Sequence, residues 1–258
     1  MTELTAALSG ALVGFVLSVI GGGGSILAVP LLHYVVGIAD PHRALGTAAL
    51  AVAANAAVNL LHHARAGTVK WPCATVFAAA GVAGALVGAR VGQGVDGRLL
   101  LLAFAVAMLG VGFALLRGRS AEGDPGVRIT PVIAARLVVL GFAAGALSGF
   151  LGIGGGFLIV PGLIAGSGMA TLNAIGSSLL GIAAFGFATA SSYAVAGLVD
   201  IRIALLFLVG GAMGGWFGVA AALRLARYKG ALDRGFAVLL LALALAVMAQ
   251  SLRSLGWL

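Results

Sequence analysis

Apolar residues run through this chain in helix-length stretches, at approximately 4–20, 25–37, 43–62, 71–91, 98–116, 132–151, 156–166, 171–196, 201–223 and 231–252, parted by short polar or glycine-rich breaks. Runs of this length predict helices that lie in a bilayer, not the short alternating strands of an outer-membrane barrel. The expected fold class is therefore an all-α polytopic membrane protein. Two of the stretches are too short to cross alone. As helices, 25–37 would reach about 20 Å and 156–166 about 16 Å, against a hydrocarbon core about 30 Å thick.

Both short stretches follow a glycine run, Gly21-Gly22-Gly23-Gly24-Ser25 and Gly152-Ile153-Gly154-Gly155-Gly156, and each contains a proline, Pro30 and Pro161. Glycine costs about 1 kcal/mol against alanine in a helix interior, so four in a row are expected to break the helix. A break at membrane depth is tolerated only where protein buries it or a watery cavity receives it. Matching breaks in two halves of a chain point to the binding site of a transporter.

The polar, turn-rich linker 117–131 separates residues 1–116 from 132–258. Displacing one half on the other by about 130 positions lays Gly14 on Gly145, Gly21 on Gly152, Gly46-Thr47 on Gly176-Ser177 and Gly67 on Gly197. The series continues with Gly81, Gly84 and Gly88 on Gly211, Gly214 and Gly218. Each half reads as one transmembrane repeat: a glycine-rich broken or re-entrant helical hairpin followed by three transmembrane helices. Positive charge arbitrates between a hairpin and a single broken crossing. With hairpins and a cytoplasmic linker, the fifteen Lys and Arg divide ten to five, leaving Arg43, Arg90, Arg98, Arg202 and Arg253 on the far side. With single crossings the division is eight to seven. The hairpin reading gives an odd number of crossings per half, hence inverted repeats with both termini extracytoplasmic.

Composition agrees: 62% of residues are hydrophobic and 9% charged, where a soluble domain carries about 25% charged residues. The formal charge of +8 sits mainly at the ends of apolar segments, where orientation accounts for it better than a nucleic-acid partner. Cys73 is the only cysteine, which excludes an intrachain disulfide and a thiolate cluster. No metal or other cofactor is expected. The first residues carry Glu3 and no Lys or Arg, unlike the basic start of a signal peptide, and read as mature sequence.

The chemistry available at membrane depth is neutral. All seven acidic residues fall at termini, in loops or at helix ends, so the carboxylate relays that couple many carriers to cations have no counterpart here. A helix beginning at mid-membrane after a glycine run, with Ser25 as its N-cap, would aim free N–H groups and a partial positive charge at an anion. The expected substrate-binding set is Gly22, Gly23, Gly24 and Ser25 with Gly154, Gly155 and Gly156, joined by Thr47, Ser177 and Ser178 at equivalent positions and by Asn55 and Asn59. Hydroxyls and amides bind an oxyanion without trapping it; their alternative role is hydrogen bonding between helices. Gly84, Gly88, Gly214 and Gly218 are expected to serve helix packing. His33, and Arg43 with Arg90 as an anion vestibule or as snorkelling anchors, are candidates for gating or proton linkage. Hydrolase, zinc-peptidase and P-loop motifs are absent, so no enzyme activity is expected.

The glycine run followed by proline, then Ala44-Leu45-Gly46-Thr47, then Gly81, Gly84 and Gly88, repeated as Gly154–Gly156 with Pro161, Ala174-Ile175-Gly176-Ser177-Ser178, and Gly211, Gly214 and Gly218, resembles the sulfite exporter TauE/SafE family. The resemblance implies a permease of the bacterial cytoplasmic (inner) membrane that carries small anions of organosulfur metabolism, such as sulfite, sulfonates or sulfoacetate, mostly outward. The expected function is export of a small anion by alternating access. A passive anion channel with the same neutral lining is the alternative. The expected partners are a small anionic substrate and the lipid bilayer, and a homodimer is compatible with the sequence.

Overall fold

Small residues line the closest helix contacts of this chain, while rings such as Phe77, Phe185 and Tyr193 fill the wider parts of the core. On one helix Gly84, Gly88 and Gly92 are buried while Leu86, Val87 and Val91 are exposed; on another Gly214 and Gly218 are buried while Trp216 and Phe217 are 74% and 66% exposed. A water-soluble bundle has the opposite polarity. In lipid the large apolar side chains are at home outside, and close backbone packing of glycines supplies the cohesion.

The structure is a computed structural model that describes residues 2–116, 123–124, 126–152, 156–225 and 229–254. Helix α1 (Thr2–Ile20) runs into a 3₁₀ segment (Gly21–Leu27), a single turn α2 (Ala28–Pro30) and a π-helical turn (Leu31–Val35). Then follow α3 (Pro41–Arg65), α4 (Trp71–Gln93), α5 (Gly97–Leu116), α6 (Pro131–Leu151), α7 (Gly156–Ser167), α8 (Thr171–Val195), α9 (Ile201–Leu225) and α10 (Lys229–Ser254). Five helices are long and apolar enough to cross a membrane among the described residues: Pro41–Arg65, Trp71–Gln93, Pro131–Leu151, Asn173–Val195 and Ile201–Gly218. Extended structure among the described residues is confined to one bridge between Asp124 and Met169.

Helices α4 and α6 pack side by side in the same direction, with Gly141 against Phe77, Gly145 against Gly81, Gly149 against Ala85 and Gly92 against Phe150. Helices α1 and α9 do the same, with Gly10 against Phe207, Gly14 against Gly211 and Gly218 against Phe15. The second set is the first with the halves exchanged. At the centre, α3 and α8 run antiparallel: Gly46 meets Tyr193, and Gly186 meets Ala49 and Ala53. Helices α5 and α10 form a further pair.

These contacts sort the loops into two poles. At the first, Glu3 forms an ion pair with Arg202, Thr47 holds the backbone of Asp200, and Gln93 Nε2 donates to Ser192 Oγ at 3.0 Å. Three carboxylates cap helices there: Asp40, Asp96 and Asp200 accept from the backbone N–H of His42, Arg98 and Ile203 at 2.8–3.0 Å. At the second pole, Asn173 Nδ2 donates to the Thr68 carbonyl at 2.9 Å, and the linker docks where Asp124 N–H donates to the Gly168 carbonyl at 2.9 Å.

The two glycine-rich units are hairpins. Helix α6 ends at Gly152, whose φ of +65° is a left-handed C-cap that a side chain would strain. Helix α7 then returns along α6, with Gly166 against Leu137 near the start of α6. In the first half the return is shown by Gly24, where a Cβ would lie 2.7 Å from the Leu17 Cα seven residues earlier. In a straight helix seven residues span about 10 Å.

Candidate functional site

The sequence places the first glycine run at a helix break, with Ser25 capping a new helix. The structure corrects this. Gly22, Gly23, Gly24 and Ser25 all belong to the 3₁₀ segment, which passes directly into α2, and the residue before α2 is Leu27 in helical geometry without a side-chain cap. Tightening the helix, not ending it, lets the glycines turn the chain back onto Val16 and Leu17. The segment is buried in protein: Ser25, Ile26, Ala28 and Val29 have no exposed surface. Its 3₁₀ part packs against α7 and α8, so the first hairpin touches the helix that follows the second glycine run. Gly154 and Gly155 lie outside the described residues, and Gly156 is the first residue of α7.

Thr47 and Ser177, equivalent in the repeat, do the same job at opposite poles. The Asp200 N–H donates to Thr47 Oγ1 and the Lys70 N–H donates to Ser177 Oγ, each at 2.9 Å. Antiparallel α3 and α8 separate these two hydroxyls by about 20 Å, from a rise of about 1.5 Å per residue. The structure therefore does not bring them into one site. Ser178 Oγ donates to the Ile175 carbonyl of its own helix at 2.7 Å.

Asn55 and Asn59 lie deep on α3, Asn55 near the middle of the helix. Ser18 Oγ on α1 donates to the Gly14 carbonyl at 2.9 Å and lies 3.3 Å from Asn59 Oδ1, while Gly215 of α9 faces the same pair. Asn55 faces Gly211 of α9, and neither its Nδ2 nor its Oδ1 has a hydrogen-bond partner among the described residues. The same holds for three buried hydroxyls of the second half, Ser148, Thr189 and Tyr193, none of which belongs to the substrate-binding set expected from the sequence. Ser148 precedes the Gly152 break by one turn, a signal that its position supplies. No charged side chain is buried among the described residues; the buried polar residues are Ser, Thr and Asn.

A cavity of about 430 Å³, lined by both polar and apolar surface, opens at the first pole between His33, Tyr34, Asp40, His42, Asp96, Arg98, Leu101, Gln250 and Ser251. His33 sits in the π turn that follows Pro30, with Nδ1 2.7 Å from the Ile38 carbonyl. The π turn closes where the Val36 N–H donates to the Leu31 carbonyl at 2.9 Å. Arg43 and Arg90 are exposed on α3 and α4 outside the cavity lining. Among the described residues no group of three His, Cys, Asp or Glu side chains is placed to hold a metal ion.

The sequence matches the sulfite exporter TauE/SafE family over residues 6–247. A "Probable membrane transporter protein" of Xylella fastidiosa (strain 9a5c) is 48% identical over 248 residues, 96% of this chain and 95% of that protein. A "Probable membrane transporter protein YdhB" of Bacillus subtilis (strain 168) is 26% identical over 213 residues, 80% of this chain and 85% of its own. No solved structure matches the chain. A bundle with glycine inside and large apolar side chains outside agrees with these likenesses: the protein is a multi-pass membrane transporter and belongs to the sulfite exporter TauE/SafE family.

Proposed function

We propose that this transporter carries a small anion, of the sulfite, sulfonate or sulfoacetate kind, out of the bacterial cytoplasm across the inner membrane by alternating access. The observation that carries the reading is the neutral interior: buried Ser, Thr and Asn side chains with no buried charge among the described residues. Such groups replace part of an anion's hydration shell and still release it. Export needs no carboxylate relay, because an interior-negative potential drives each negative charge outward by about 2.3 kcal/mol per 100 mV.

The antiparallel α3 and α8, and contact sets that recur when the halves are exchanged, support reading the halves as inverted repeats. Rocking of one half against the other then exposes the interior to each pole in turn. The richer supply of Lys and Arg near the linker supports a cytoplasmic second pole, with both termini extracytoplasmic.

Flux of radiolabelled sulfite, sulfoacetate, sulfate and carboxylates in proteoliposomes tests this reading. We expect saturable efflux of at least one anion, accelerated by counter-substrate. An imposed 100 mV should shift the equilibrium distribution of a monovalent anion about fiftyfold. Failure of every anion to bind or move would refute it, and unitary currents would make the protein a channel.

A further inference from the structure

We infer that Asn55 is a ligand-recognising residue of this transporter, one that reads a small oxyanion bearing both a charged oxygen and a hydroxyl; the inference rests on the anion-transport reading above. Three observations meet at this residue. Asn55 is 1% exposed, yet both ends of its carboxamide lack a partner among the described residues. An amide buried at membrane depth without partners is strongly disfavoured, so its retention calls for something that pairs with it.

The chain also contains its own control. In the exchange of halves Asn55 corresponds to Phe185 and Gly211 to Gly81. The contact recurs with them: the Phe185 ring fills the space of a Cβ at Gly81, and the Asn55 amide does so at Gly211, with Cγ 2.6 Å from where that Cβ would stand. In the second half an aromatic hydrocarbon makes this packing contact, and Phe185 stacks on Phe77 with ring centroids 6.1 Å apart. Packing therefore does not require a polar group at the position, and Asn55 holds one.

Its place suits recognition. Asn55 lies on α3 of the first half against α9 of the second, so relative motion of the halves opens and closes the contact at Gly211. Around it on α1, α3 and α9 stand Ser18, Asn59, Gly211 and Gly215, none of which titrates. The Nδ2 hydrogens donate to an anionic oxygen, and Oδ1 accepts from a hydroxyl. A singly protonated oxyanion supplies both, whereas a fully ionised one sets its oxygens against Oδ1.

The test uses full-length protein in detergent, with sulfite and sulfate as probes in one mildly acidic buffer, where sulfite retains a proton and sulfate does not. Calorimetry on the wild type should give tighter binding of sulfite than of sulfate. Asn55→Leu should weaken sulfite binding by roughly ten- to a hundredfold, the range for a lost hydrogen bond to a charged group, and leave the melting temperature unchanged or raised. Asn55→Asp keeps the shape and repels the anion, and should lose binding while remaining folded. Wild-type affinity in either variant overturns the inference and leaves anion transport standing. A melting temperature that falls in Asn55→Leu together with wild-type-like binding in Asn55→Asp assigns the residue a packing role and also overturns it. Sulfate bound as tightly as sulfite removes the donor-and-acceptor match, and a wild type that binds neither anion nor any other small anion removes the underlying reading.

Discussion

Gly88 offers a direct test of what holds the bundle together. An ideal Cβ there would stand on the Ala146 carbonyl of α6 and 2.8 Å from Phe150 N, both backbone atoms that no rotamer change can move. A carbon approaches a carbonyl oxygen to about 3.3 Å, so α4 and α6 would have to part by on the order of 1 Å. Overpacking of this kind costs about 1–3 kcal/mol, while alanine returns roughly 1 kcal/mol of helix propensity. Gly88→Ala should therefore lose up to about 2 kcal/mol net, or up to about 8 °C in melting temperature at about 2–4 °C per kcal/mol. Gly110 on α5 is the control, since a Cβ there meets nothing within 4 Å. Gly110→Ala should be neutral or stabilising by up to about 1 kcal/mol. Thermal unfolding in detergent, followed by fluorescence-detected size exclusion, reads both. Equal melting temperatures for the two variants would refute the seam as the source of cohesion.

Three further expectations follow from the same contacts. Thr47→Val and Ser177→Ala each leave a loop N–H without its acceptor, so both should lower stability by about 1 kcal/mol and leave anion affinity as in the wild type; a large loss of affinity would instead make them ligands. In a Cys73→Ala background, Ala66→Cys and Ala196→Cys, in the turns formed by Gly67 and Gly197, should react with an impermeant maleimide from opposite faces of the membrane, and same-face labelling would rule out inverted repeats. His33→Phe keeps the ring but loses the 2.7 Å contact with the Ile38 carbonyl; if that contact holds the π turn for gating, turnover should fall with affinity intact, and unchanged flux would leave His33 a structural residue.

Much of the architecture was legible in one dimension. Hydropathy over a helix-length window reports the free energy of moving that segment into lipid, which depends on the residues alone. The membrane embedding, the helix positions and the packing role of Gly84, Gly88, Gly214 and Gly218 therefore came from the sequence. The recurrence of glycines at a spacing of about 130 residues also anticipated the paired contacts, because each glycine marks a place where two backbones approach.

What the linear order could not supply was which equivalent residues meet. Thr47 and Ser177 align in the repeat and were expected to share a site, but antiparallel packing of α3 and α8 sends them to opposite poles, where each pins a loop. Equivalence in sequence does not by itself make two residues neighbours. Propensity disfavours glycine in helices, so the first glycine run predicts a hairpin with a broken helix and a new one capped by Ser25; the hairpin is there, but the break and the cap are not. In the fold, the backbone of Leu17 occupies the side-chain space at Gly24, and a tightened 3₁₀ segment carries the chain around that turn. The difference between Asn55 and Phe185 carries meaning only once both are seen against matching glycines on α9 and α4. Sequence alone determined that this is a glycine-seamed membrane bundle with a neutral interior. Tertiary structure decided which polar groups are consumed by the scaffold and which stay without a partner among the described residues, because hydrogen-bond satisfaction depends on partners far away in the chain.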